Sequence, residues 1–358
     1  MYFKYLTNSA KEDGVVGWDI NVSRDLHDYL NEKHVQIPPI KPKNICGSPV
    51  FLAIICMSRP SAFNIRRVIR NTWARPRTMN HFNVSFYFLL GLTRDLEIQK
   101  RIIQESQQFN DIIQENFYDS YNNLTLKSAM MLKVFTQHCR SAKYLLKADD
   151  DIYLNLPLLI ESLHIRNKTN NLLVGSMICG GAPKRDPNCK WYAGPNYIYP
   201  YSTYPNYVSG STYCMSGDVA RKLFNVALTI PLFHVEDVFI TGICARKIRL
   251  QLTHDFRYSF HYLQDNTCLF KRLIAVHHLD SEQIEAIYHA EQDEDLDKQC
   301  LIKNRFFLVY EWLLTTIFIA NNNGENIACG NGKEQDLALK WEFRRNRIIT
   351  PYIVKPIC

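Results

Sequence analysis

The chain has 358 residues, enough for two domains or for one large α/β domain with extensions. A hydrophobic fraction of 46% and an aromatic fraction of 12% exclude a disordered or low-complexity chain, since that much apolar surface can build a core. Lys and Arg number 42 against 35 Asp and Glu, a net +7 with no long basic run, which excludes a dedicated nucleic-acid binder and suits a phosphorylated substrate.

Residues 1–48 are polar around a proline cluster, Ile37-Pro38-Pro39-Ile40-Lys41-Pro42, and read as a stem-like lead-in. The opening residues contain no apolar stretch of the signal-peptide kind. From residue 49, strand-like and helix-like patterns alternate. Val50 to Cys56 is a continuous apolar run, as expected of a strand buried on both faces. A helix follows, with Ser61 as its expected cap and Ile65, Val68, Ile69 and Trp73 at helical spacing. Ser85 to Gly91 reads as a second strand, 95–108 as a helix, and Ile112-Ile113 as the start of a third strand. Leu124 to Cys139 is a helix, and Lys143 to Ala148 a fourth strand that runs into Asp149-Asp150-Asp151. This alternation predicts a mostly parallel sheet flanked by helices, with ligands beyond the carboxyl ends of its strands. Residues 179–215, rich in Gly, Pro, Tyr and Trp, read as an ordered aromatic loop that forms binding walls. Asp218 to Leu228 and Glu236 to Lys247 read as helices. The apolar run Phe306 to Ala320 is short for a membrane span, which needs about 20 residues, and reads as a buried helix or strand pair.

Eleven cysteines and four glycosylation sequons, at Asn21, Asn83, Asn123 and Asn167, favour the secretory lumen. An odd cysteine count leaves at least one thiol free or paired between chains.

Three acidic or histidine clusters and one basic set can carry chemistry. Three carboxylates at Asp149, Asp150 and Asp151 repel one another unless a cation or hydrogen-bond donors compensate them. Hard oxygens at i and i+2 suit Mn²⁺ or Mg²⁺, but a strand-terminal turn that caps the next helix explains the same residues. Glu236-Asp237 opens an apolar helix; one carboxylate is a candidate general base, or both simply stabilise the helix dipole. His277-His278 can ligate a metal or rest in the core. Arg66 and Arg70 share a helix face and can hold a diphosphate, with Lys127 a further candidate; a solvated helix charge is the alternative for each.

Taken in order, several stretches resemble glycosyltransferase family 31, and most of all its animal β-1,3-galactosyltransferase branch. They are Arg66 to Trp73, Phe88 to Gly91, Asp111 to Lys127, Lys147 to Asn155, Lys190 to Tyr192, Tyr199 to Gly210, Glu236 to Gly242 and Ala275 to Leu279. The resemblance covers roughly residues 49–300. It implies a GT-A-type fold with a nucleotide-sugar half (49–155) and an aromatic-rich acceptor half (156–300), leaving 301–358 as a C-terminal extension. It implies UDP-galactose as donor, a Mn²⁺ (or Mg²⁺) cofactor and inverting transfer with β-1,3 linkage to a glycan on glycoprotein or glycolipid. UDP-N-acetylglucosamine is the alternative donor, and a non-catalytic glycan-binding protein the alternative class. By the same resemblance, Asp149-x-Asp151 is a DxD motif in which Asp151 and Asp149 meet the metal, and Asp149 and Asp150 lie near ribose and diphosphate. His277 matches the late metal-binding histidine better than His278. Asp237 matches the catalytic base, with Glu236 beside it, and Trp191, Tyr192 and Gly210 wall the sugar site. A Golgi membrane location with a lumenal catalytic domain is implied as well. Cys139 with Cys189, and Cys214 with Cys244, are the pairings suggested in this setting.

Overall fold

The computed structural model describes residues 23–30, 40–47, 49–75, 82–194, 199–259, 267–293 and 295, and a few strand residues between 339 and 353. The elements in chain order are α1 (His27–Leu30), β1 (Leu52–Met57), α2 (Phe63–Asn71), β2 (Val84–Leu92), α3 (Leu96–Phe109), β3 (Ile112–Tyr118) and α4 (Leu124–His138). There follow β4 (Tyr144–Asp149), β5 (Ile152–Leu154), α5 (Leu156–Arg166), β6 (Leu173–Ile178), β7 (Tyr207–Ser216) and α6 (Gly217–Ala227). A π-helical segment (Val238–Cys244) leads into α7 (Ala245–Lys247), β8 (Thr253–His254), β9 (Tyr258–Ser259), α8 (Thr267–Phe270), β10 (Ala275–His277) and α9 (Ser281–Glu291). Four two-residue strands, 339–340 with 352–353 and 343–344 with 347–348, pair antiparallel near the C-terminus.

Contacts divide the chain into two compact units. The larger comprises Ser23–Met177 and Tyr207–Asn304, the smaller Met1–Val22, Ile178–Asn206 and Arg305–Cys358. The larger holds a seven-stranded sheet of order β3-β2-β1-β4-β7-β6-β8. The β3, β2, β1 and β4 strands run parallel, and β7 lies antiparallel to β4. The mostly parallel sheet with flanking helices expected from the sequence is therefore present, and one sheet spans both expected halves, 49–155 and 156–300. All six residues of β1 are buried, as its unbroken apolar run requires. Helix α4 is buried continuously from Thr125 to Phe135, which explains why its polar face carries so few charges.

Local chemistry fixes the helix ends. Asp95 caps α3 by accepting from the Glu97 and Ile98 amides at 2.9 and 3.0 Å. Asn155 caps α5 through the Leu158 amide, and Asp280 and Gln283 form a capping box on α9. Ser61 does not cap α2: the helix begins at Phe63 after Ala62, with no side-chain cap. β7 was expected as loop; its Gly and Ser residues mask a strand held by pairing with β4.

Two parts of the segment read as a lead-in are tied to the larger unit. Leu26 is buried, and Arg24 and Leu232 exchange hydrogen bonds of 2.8 Å. Cys46 forms a disulfide with Cys139, in place of the suggested Cys139–Cys189 pair. Cys179, Cys189 and Cys268 are also disulfide-bonded. Cys214 and Cys244 are buried free thiols, not partners: each sits inside the core, on β7 and at the end of the π-helical segment. Among the described residues no helix is long and apolar enough to cross a membrane. Asn21 and the Phe306–Ala320 run lie outside the described residues.

Candidate active site

The site forms where β1 and β4 end side by side, Met57 opposite Asp149. The acidic triplet begins there, and its three carboxylates take different partners. Asp149 pairs with the Lys147 ammonium at 2.5 Å. Burial pushes its carboxyl up to about 6; Lys147 opposes this and Asp151 adds to it. Asp150 accepts from the Ser58 hydroxyl at 2.9 Å and the Arg59 amide at 3.4 Å, and burial raises its pKa as well.

Asp151 faces the other way. Strand β10 pairs antiparallel with β5, His277 opposite Ile152, which carries the two histidines to the triplet. His277 Nε2 lies 3.2 Å from Asp151 Oδ1, and His278 Nδ1 lies 3.9 Å from Oδ2. Burial works to raise the Asp151 pKa, but the hydrogen bond and charge of His277 outweigh it and hold the carboxyl below its usual value. Asp151, His277 and His278 offer ligand atoms within 4.8 Å of one another. One carboxylate and two imidazoles form a mixed oxygen and nitrogen set that fits a divalent transition cation such as Mn²⁺ better than Mg²⁺, which prefers oxygen. The structure thus brings Asp151 and His277 together, adds His278, and leaves Asp149 outside the group, because Lys147 already occupies it.

The second carboxylate pair stands at the start of the π-helical segment, an irregularity often found at functional sites. Asp237 Oδ1 accepts from the Val238 amide at 2.9 Å and Oδ2 from the Gly210 amide at 3.1 Å. Burial pushes its carboxyl up to about 7, and neighbouring Glu236 adds to the shift; Lys147 and the two amides oppose it. Glu236 is buried and accepts from the Tyr213 hydroxyl at 2.7 Å. Gly210 sits close to this pair: a Cβ there would lie 3.0 Å from Glu236 Oε2 and 3.3 Å from Asp237 Cβ, so a side chain would crowd the two carboxylates.

Three basic residues expected at a diphosphate are committed elsewhere. The fully buried Arg66 gives Nε and Nη2 to Glu105 and its remaining donors to Ser58 and the Arg59 and Pro60 carbonyls. Arg70 binds Glu105 and Asp111 and stacks its guanidinium over Phe109 at 4.0 Å. Lys127 Nζ binds Asp119 and the Ser58 carbonyl, both at 2.7 Å. Arg66 and Lys127 brace the loop after β1, whose Ser58 holds Asp150. The charges of Arg66 and Arg70 can be read as solvated because their acidic partners lie further along the chain, Glu105 on α3 and Asp111 just before β3.

Trp191 and Tyr192 belong to the smaller unit. Lys184 bridges to Tyr192, and the Lys190 ammonium lies 4.4 Å from the Trp191 ring centre. Arg185 anchors this unit by donating to the carbonyls of Ala193, Tyr199 and Tyr201. Of the described sequons, Asn83 and Asn167 are exposed and Asn123 half-buried; the Asn83 amide donates to the Pro49 carbonyl at 3.0 Å and the Asn123 amide to the Tyr118 carbonyl at 2.7 Å. Sequence reasoning missed Lys147 as a site residue, its only signal being its place two residues before the acidic triplet, and of the two candidate histidines it preferred His277 to His278.

A family model described as Galactosyltransferase matches residues 64–255. The chain is 34% identical over 298 residues to beta-1,3-galactosyltransferase 1 of Mus musculus, covering 76% of this chain and 91% of that protein. It is 32% identical over 308 residues to beta-1,3-galactosyltransferase 2 of Homo sapiens, covering 80% of this chain and 72% of that protein. Among solved structures, the WbbM bifunctional glycosyltransferase in its apo form aligns at a TM-score of 0.39 and 10% identity, over 69% of this chain and 52% of that one. The chain is a glycosyltransferase. It belongs to the galactosyltransferase family.

Proposed function

We propose that the protein transfers galactose from UDP-galactose to a glycan hydroxyl, forming a β-1,3 linkage with inversion, and that Asp237 is the general base. The observation that carries this reading is a carboxylate at Asp237 with a pKa raised to about 7, anchored by two backbone amides in the same unit as the Asp151–His277–His278 group. Each Asp237 oxygen accepts one amide and keeps lone pairs for an acceptor hydroxyl. Asp237 takes that hydroxyl's proton as the oxygen bonds to the anomeric carbon. The carbon's bond to the diphosphate oxygen breaks on the opposite face, and its electron pair leaves with UDP. A Mn²⁺ (or Mg²⁺) ion held by Asp151, His277 and His278 would neutralise the departing diphosphate. Glu236, tied to Tyr213, keeps a second negative charge beside the base and so raises its proton affinity.

We place the protein in the Golgi lumen at the membrane as part of the same proposal; the Cys46–Cys139 disulfide, the further disulfide-bonded cysteines and the exposed sequons support a secretory-pathway lumen. The acceptor class is a glycan on glycoprotein or glycolipid.

The test offers UDP-galactose, UDP-N-acetylglucosamine and UDP-N-acetylgalactosamine with β-linked acceptors, with Mn²⁺ or with chelator. Mn²⁺-dependent transfer from UDP-galactose is the expected result. Preference for UDP-N-acetylglucosamine would reassign the donor. Absence of transfer and of UDP release by folded protein would favour glycan binding without catalysis.

A further inference from the structure

We propose that Lys147 is a positioning residue that clamps the Gly210 peptide, and through it the Asp237 carboxylate, to the strand end bearing Asp149. The inference rests on the reading of Asp237 as the base. Lys147 lies on β4 with its side chain 4% exposed. Its ammonium has two partners, the Asp149 carboxylate and the Gly210 carbonyl. The same glycine turns its amide to Asp237 Oδ2 at 3.1 Å. One residue is thus held at both ends, its C=O by Lys147 and its N–H by the base.

The strand register makes this possible. Lys147 stands opposite Tyr213 in the antiparallel β4–β7 pair, and the Thr212 hydroxyl donates to the Lys147 carbonyl at 2.8 Å. Gly210 therefore falls beyond the end of β4, within reach of a lysine side chain. A lysine that served only to neutralise Asp149 would need no contact with Gly210. Arginine, with a planar fork, would place its donors differently. A buried ammonium also demands full pairing, so the Gly210 carbonyl is held by a charge-assisted bond that cannot relax cheaply.

The charges around Asp237 are identifiable. Glu236 lies on its own segment, and Lys147 approaches from β4; from β7 come the Gly210 amide and Tyr213, which holds Glu236. Lys147 is the cation in this set, and it favours the ionised base.

The experiment uses the full chain with Mn²⁺, UDP-galactose and p-nitrophenyl β-N-acetylglucosaminide. It reads kcat and KM against pH for wild type, Lys147→Arg, Lys147→Gln and Asp237→Asn. Lys147→Gln should lower kcat about tenfold or more, shift the KM for UDP-galactose less, and move the acid limb of kcat up by about one pH unit. Lys147→Arg keeps the charge and should leave the limb in place while lowering kcat. Should Lys147→Gln not fold, Lys147→Met fills the same space and takes the same reading. An unmoved limb with undiminished kcat in the neutral variants overturns the proposal. So does unfolding of both neutral variants beside a fully active Lys147→Arg, which makes the lysine purely structural. Wild-type kcat in Asp237→Asn is a separate result, because it removes the base reading itself.

Discussion

Asp151 and His277 meet at 3.2 Å because β5 and β10, far apart in the chain, pair antiparallel at the carboxyl edge of the main sheet. The pairing is backbone-driven, so the site is built before any ligand arrives. The same edge receives Asp149 from β4, but Lys147 engages that carboxylate. The three carboxylates of the acidic triplet therefore take different partners: Asp151 the histidines, Asp150 the Ser58 loop and Asp149 a buried lysine.

Asp151→Asn should abolish Mn²⁺-dependent transfer, by about a hundredfold or more, because a single carboxylate supplies the charge of the cation group. The side chain is 42% exposed, so the melting temperature should hardly move. Transfer assays and thermal melts on the same preparation check both statements. Asp149→Asn should behave differently, destabilising the fold by leaving the buried Lys147 underpaired.

The pH profile follows from Asp237. Its folded pKa is raised to about 7 from 3.8, so the active, ionised form grows as pH rises through about 7 and kcat should rise with it. The stability sign is the reverse. Between about 4 and 7 the folded state binds this proton more tightly than the unfolded state, so stability falls as pH rises through that window. Melting temperatures of wild type and Asp237→Asn from pH 4 to 8 should diverge accordingly, the wild type losing more. Parallel curves would show that Asp237 is ionised throughout.

Arg66→Met should act on stability, not on donor binding. Arg66 is fully buried against Glu105, which Arg70 still pairs once Arg66 is gone, so the loss should be about 1–3 kcal/mol, from the carbonyls and the carboxylate oxygen left without their donors. Denaturant unfolding should show that loss, while any protein that folds keeps its KM for UDP-galactose. A raised KM with unchanged stability would restore the diphosphate role.

Removing the Cys46–Cys139 bridge by Cys46→Ala should cost about 4–5 kcal/mol, since the bridge spans a sequence separation of 93. Reductant should shift the unfolding curve of the wild type further than that of the variant, which keeps the disulfide-bonded Cys179, Cys189 and Cys268.

Much of the fold was readable from residues alone. β1 is an unbroken apolar run, β2 and β4 are mostly apolar, and α3 and α4 carry helical patterns, so their types follow from burial and periodicity. The acidic triplet stood out because it ends such a strand. What was hidden depends on contacts between distant segments. β7 looks like a loop because Gly210 and its serines carry no alternation; only pairing with β4 makes it a strand. Lys147 therefore had no visible partner. Arg66 and Arg70 resembled surface charges until Glu105 and Asp111 were brought beside them. Cysteine pairing was misread for the same reason, since Cys46 reaches Cys139 only once the segment before β1 folds back.

The most direct test of the central claim is the anomeric configuration, by proton NMR, of galactose transferred from UDP-α-D-galactose to a β-linked acceptor. One base and no protein nucleophile predict a β-galactoside from the wild type and no product from Asp237→Asn. An α-galactoside, or a β-galactoside formed equally well by Asp237→Asn, would contradict the account.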